Sequence, residues 1–299
     1  MNAPRATNGS ERGKERKLGR EVCPRPKPEG VLPERDTMVR LQRVFWLALM
    51  LAVGAGCREK KSEHAAEAAS ALVPSRPASD QALPFSVDGA SSKVSFLMEA
   101  PIEKISGEAP GALDGELFVD ASDVGRSTGL VKVDLEKLVL YQEKRDNENA
   151  AFTEKKKNDL QNQHARTWLE ISSDAPSEVR EANRFAEFRI TRLENPSIAN
   201  VAAQAGAERK LTATVVGDLR LHGRKKEQRA KVEVAFTFAG DKPTQVRVRT
   251  LEPMPVSLED YDVRPREAFG KLAQKTLDAL GSKVARVAPI QLEFTANAK

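Results

Sequence analysis

Three histidines and two cysteines are all that this 299-residue chain offers for metal or thiol chemistry beyond its carboxylates and hydroxyls. His64, His164 and His222 fall in three unrelated stretches, so a metal site would require distant segments to converge. No C-x-x-C, H-E-x-x-H, G-x-S-x-G, P-loop or G-x-G-x-x-G pattern occurs. No catalytic residue, metal ligand or cofactor is therefore expected, and nothing singles out an acid–base pair among the many carboxylates. The other groups with chemical reach are clustered cations: Lys155-Lys156-Lys157, Arg224-Lys225-Lys226, Arg247 with Arg249, and Arg264 with Arg266. Such runs are ordinarily solvated faces. The functional alternative is that Arg224, Lys225, Arg264 and Arg266 receive an anionic headgroup such as a pyrophosphate.

The N-terminal third is organised by export signals. Met38 opens MVRLQR, and VFWLALMLAVGAG then runs from Val44 to Gly56 without a charge. A cationic stretch, an apolar core and small residues at its end have the shape of a secretory signal peptide. Thirteen uncharged residues fall short of the roughly 20 that a transmembrane helix needs. A buried core helix is the alternative, but Gly54-Ala55-Gly56 would end it poorly. Residues 1–37 are rich in Pro, Gly, Arg and Lys and cannot bury enough surface to fold. They precede a signal, so translation is expected to start at Met38, leaving 1–37 a doubtful upstream segment. Cys57 directly follows Val53-Gly54-Ala55-Gly56, which resembles the bacterial lipobox, with Gly54 where Leu is usual. That resemblance implies removal of 38–56 as a lipoprotein signal peptide and lipidation of Cys57 on its sulfur; the alternative is an incidental thiol. Arg58, in place of Asp, resembles lipoproteins sorted to the outer membrane, facing the periplasm. Residues 57–82, rich in Ala, Ser, Glu, Lys and Pro, read as a flexible tether.

The formal net charge of +5 belongs to these leading segments. Residues 1–56 hold 11 Lys+Arg against 6 Asp+Glu, so the chain from Cys57 onward is neutral. A nucleic-acid partner, which would need a basic face, is not expected.

From residue 83 to 298 the pattern is period two, the mark of half-buried strands. Val94, Phe96 and Met98 share one face of Lys93–Met98; Leu211, Ala213, Val215, Leu219 and Leu221 share one face of Leu211–Leu221. Val232, Val234, Phe236 and Phe238 do so in Lys231–Phe238, and Val246 and Val248 in Gln245–Thr250. Glu116–Asp120, Val131–Leu140, Arg184–Leu193 and Ile290–Phe294 bring the expected strands to about eight, separated by turns such as Asp114-Gly115, His222-Gly223 and Gly240-Asp241. Eight strands with polar outer faces satisfy their edges best as a closed antiparallel barrel. Two stretches break the pattern. Lys144–Arg166 reads as a solvated helix or long loop. Arg266–Leu280 has the spacing of an amphipathic helix, bounded by Pro265 and Gly281, expected to pack on the barrel.

Several segments, in order, resemble the YceI family of bacterial envelope proteins. They are Phe85-Ser86-Val87-Asp88 with Ser92–Phe96, then Gly115–Asp120, Phe185–Phe188 without the usual Tyr-Pro, and the most specific, Leu211–Gly223, LTATVVGDLRLHG. The resemblance implies an all-β, eight-stranded, lipocalin-like barrel that takes a long isoprenoid chain. Candidate lumen residues are Val94, Phe96, Phe118, Phe188, Val215, Val232, Phe236, Phe238 and Phe294. The same residues could equally form a filled core, leaving an envelope scaffold without a ligand, since eight strands suit either outcome.

Overall fold

The computed structural model describes residues 67–265 and 286–299. In chain order its strands are β1 (Glu67–Ala68), β2 (Leu83–Ala100), β3 (Glu103–Glu108), β4 (Leu113–Val119), β5 (Thr128–Asp134), β6 (Val139–Lys144), β7 (Lys156–Lys157), β8 (Phe185–Glu194), β9 (Glu208–Leu221), β10 (Arg224–Ala239), β11 (Lys242–Thr250), β12 (Met254–Ser257) and β13 (Val287–Ala298). Helices α1 (Asp159–Trp168) and α2 (Ser177–Asn183) lie between β7 and β8.

Alternation decides which side chains turn inward. Along β9 and β10, Leu211, Ala213, Val215, Val232, Val234 and Phe236 are buried while Thr212, Lys231 and Thr237 meet solvent. Eight strands carrying such faces pair antiparallel in the order β2-β4-β5-β8-β9-β10-β11-β13. The ring closes where β13 returns to β2, from the Ile290–Phe96 pair to the Ala298–Phe85 pair. The protein is thus an all-β, closed, eight-stranded antiparallel barrel. On its other edge the long β2 serves two partners: Leu83–Ser86 pair with β4, and Ser95–Ala100 with β3. β3 continues to β6 and β6 to β7, so a wing of short strands springs from the rim.

β2 and β9 run the same way round this ring, which puts the β2–β3 hairpin and the β9–β10 turn at one end, the upper end. There a second apolar cluster joins Leu169, Ile171, Leu219, Leu221, Val256 and Tyr261. The lower end is closed by Phe85, Val124, Val201 and Ala296, all without solvent exposure.

Three expectations change. Val131–Leu140 is not one strand: Asp134 accepts from the Glu136 N–H at 3.1 Å and starts a 3-10 turn over Leu135–Lys137, dividing β5 from β6. Lys144–Arg166 holds β7 and most of α1, whose Asn158 cap accepts from the Gln161 N–H at 3.0 Å. The flexible tether expected for 57–82 does not extend over 67–82, which lie as a strap down the outside of the barrel. β1 pairs Glu67 with Lys225 and Ala68 with Arg224, and the Ala69 N–H donates to the Gly223 carbonyl at 2.8 Å. Lower down, Thr128 donates to the Arg76 carbonyl at 2.8 Å, Arg126 to that of Ala78, and Ser79 to Asp120. The strap is held mainly through its backbone, which its polar composition could not reveal. Cys57, the signal-like 38–56, Arg266 and the helix expected over 266–280 lie outside the described residues.

Candidate functional site

Side-chain size varies along the barrel axis. Phe85, Phe236 and Phe294 fill the lower half, whereas upper inward positions include Ala109, Ala186, Ala230 and Ala288. Small side chains leave the upper lumen unfilled, and a cavity of about 390 Å³ results. That is within the range of roughly 300–1,000 Å³ typical of small-molecule sites. Its floor is made by Val119, Val124, Val215 and Phe236. Its upper wall comes from the wing, through Ile105 and Leu140, and from the Gln161, Ala165 and Trp168 face of α1.

Polarity along this wall is uneven. Among the described residues its charged members are Glu99 and Glu103, both at the β2–β3 hairpin. Glu99 pairs with Lys104 at 2.9 Å, and Glu103 accepts from the Gln142 amide. Deeper hydroxyls are engaged by the protein itself. Ser127 accepts from the Asp120 N–H at 3.1 Å, and Thr250 from the Leu292 N–H at 3.1 Å. The interior therefore offers dispersion and desolvation, about 0.8 kcal/mol for each methylene taken from water, and places polar chemistry at one mouth.

Of the nine lumen candidates, Val94, Phe96, Phe188, Val215, Val232, Phe236 and Phe294 line the cavity. Phe118 does not. The inward face of β4 carries Leu113, Leu117 and Val119, so Phe118 between the last two turns outward. Phe238 is buried but belongs to the lower core: a register shift separates it from Thr237, its ring centroid is 6.3 Å from that of Phe236, and the Arg209 guanidinium lies 3.7 Å over it. The expected headgroup cations are also elsewhere. Arg224 and Lys225 start β10 against the strap, outside the cavity wall. Arg264 pairs with Asp262 at 2.8 Å and is largely exposed.

His222 and Gly223 form a two-residue hairpin turn with φ of 49° and 67°, the left-handed pair a tight hairpin requires. The imidazole ties three elements together, its Nδ1 3.1 Å from the Tyr261 carbonyl oxygen and its Nε2 2.8 Å from Glu170 Oε2. Burial pushes the Tyr261 hydroxyl up to about 12, so it stays a neutral phenol that accepts from the Gln228 amide at 3.3 Å. His164 stacks on Trp168 at 5.8 Å, one helical turn away. Among the described residues no group of three or more His, Cys, Asp or Glu side chains is placed to hold a metal.

Sequence reasoning missed the wing, α1 and the β12 segment as walls, including Trp168, Met254 and Leu258. The 161, 165, 168 spacing is a helical stripe, but Gln161 and the charges around it masked the signal.

The YceI-like domain model matches residues 85–296. A solved polyisoprenoid binding domain from Saccharophagus degradans, implicated in plant cell wall breakdown, is similar at 16% identity over 73% of this chain and 99% of that one, with a TM-score of 0.44. Among curated proteins none matches. With the family model covering most of the chain and nearly all of the barrel just described, the protein belongs to the YceI-like family.

Proposed function

We propose that the barrel holds a long apolar amphiphile of isoprenoid type, its chain in the lumen and its head at the β2–β3 hairpin, without chemical change to it. The observation that carries this reading is the cavity, apolar along its depth with Glu99 and Glu103 at one mouth. The isoprenoid ligand that the sequence resemblance implied agrees with it. A filled barrel acting only as an envelope scaffold would require larger side chains at Ala186, Ala230 and Ala288. The proposed setting is the cell envelope, with the chain exported and anchored through lipidated Cys57 to the outer membrane, facing the periplasm. The signal-like residues 38–56 and the position of Cys57 support it. The test is organic extraction of the purified protein followed by mass spectrometry. Near-stoichiometric isoprenoid lipid is expected; recovery of no lipid, with no uptake of added geranylgeraniol, would overturn the proposal.

A further inference from the structure

Seven large apolar side chains are exposed among the described residues, and five of them gather in the upper half: Leu97, Ile102, Leu160, Leu251 and Val287. Ile102, 53% exposed, forms the tip of the β2–β3 hairpin, between Ala100 and Glu103 of the cavity wall. Leu97 lies on the same hairpin, and Leu160 precedes the wall residue Gln161 on α1. Exposed apolar side chains thus flank, as a lip, the end of the cavity that Glu99 and Glu103 mark.

We propose that this lip is a membrane-docking surface, with Leu97 and Ile102 inserting into the bilayer so that the mouth opens onto lipid. The strap, taken with the lipidation of Cys57 proposed above, supplies a second reason for a bilayer as the partner. Its first described residue, Glu67, pairs with Lys225 beside the upper turn. Glu67 lies ten positions after Cys57, a span of at most about 35 Å when extended. The chain that leads back toward Cys57 thus leaves the barrel from the upper end. Several lip charges pair within the protein, Glu99 with Lys104 at 2.9 Å, Lys157 with Asp159 at 3.5 Å, and Lys155 with Glu108, while Arg145 donates to the Pro101 carbonyl beside Ile102. On phosphatidylcholine, which carries no net charge, docking is driven by apolar insertion and depends little on salt.

The proposal rests on the ligand reading for its purpose but not for its geometry, so the test separates the two. Unacylated protein from Arg58 onward, a compact unit of its own, is sedimented with phosphatidylcholine vesicles. Wild type is expected to bind, with less than a twofold change between 0.1 and 0.5 M salt. The Leu97→Ser, Ile102→Glu double variant is expected to bind about tenfold less while its circular dichroism and melting temperature are unchanged. Ile102→Trp keeps the lip apolar and is expected to show blue-shifted fluorescence with vesicles. Failure of wild type to bind, equal binding by the double variant, or no blue shift would overturn docking, whatever the ligand result.

Discussion

Glu187 and Arg220 are cross-strand neighbours on β8 and β9, only 2% and 5% exposed, and both reach past one another to the strap. Glu187 Oε2 accepts from the Leu72 N–H at 2.8 Å and lies 3.7 Å from Arg220 Nη1; Arg220 Nε donates to the Ala69 carbonyl at 3.1 Å. Arg220 also donates to the Ala182 carbonyl at 2.8 Å, and Lys132 approaches Glu187 at 3.4 Å. The strap thus supplies hydrogen-bond partners that let a buried ion pair persist on the outside of a barrel.

Removing one member leaves the other buried without its counter-ion. Glu187→Ala is expected to lower stability by about 3–5 kcal/mol, read from the urea midpoint, and to make the 67–82 segment a site of limited proteolysis. The paired Glu187→Leu, Arg220→Met change should recover much of the stability but not the protection. Equal proteolysis of wild type and Glu187→Ala would show that the clasp does not hold the strap.

Acid should loosen the barrel through two aspartates. The Arg184 guanidinium, hydrogen-bonded to Asp134 at 2.8 Å and 3.2 Å, holds that carboxyl below its ordinary range. Burial pushes Asp120 up, but donors from the Ser122 and Ser79 hydroxyls and the Asp123 and Ser122 N–H groups outweigh it and hold it low. A carboxyl lowered in the folded state contributes its full stability above the unfolded value, about 3.9, and loses it as pH falls through the folded one. The melting temperature is expected to change little with these groups down to about pH 5 and to fall below about pH 4. Asp134→Asn should start lower at pH 7 and lose less on acidification.

The upper turn offers a backbone test. His222→Ala removes one buried and one partly buried hydrogen bond and is expected to cost about 2–3 kcal/mol. His222→Asn, which accepts the left-handed conformation more readily, should cost less. Denaturant midpoints of the two variants decide it, and equal losses would show that the side-chain contacts, not the turn conformation, set the cost.

Cys57→Ser tests the anchor. The expected outcome is release of the protein from the membrane fraction, with the barrel still folded by circular dichroism. Continued retention at wild-type level after a high-salt wash would remove lipidation from the account.

The barrel was legible because alternation on β9, β10 and β11 is nearly uninterrupted and His222-Gly223 marks a hairpin. The error at Phe118 came from reading the most apolar ring of Glu116–Asp120 as inward; counting from Leu113 gives the parity that places Leu117 and Val119 inside. Arg224 and Lys225 look like solvated cations in sequence because β1, their backbone partner, lies more than 150 residues earlier. Trp168 went unseen as a wall because α1 is polar on most of its surface. Void volume itself has no sequence signature; it follows from Ala186, Ala230 and Ala288 facing one lumen from three strands of a ring whose closure no local pattern reports.

The central claim is an open lumen that takes an apolar chain, and Ala230 tests it most directly because it faces that lumen from β10. Native mass spectrometry with geranylgeraniol, on wild type and on Ala230→Phe, is the measurement. The account predicts a one-to-one complex with wild type and at least tenfold weaker binding by Ala230→Phe, whose melting temperature is not lowered because the ring enters existing space. No complex with wild type, or equal binding by both proteins, would contradict it.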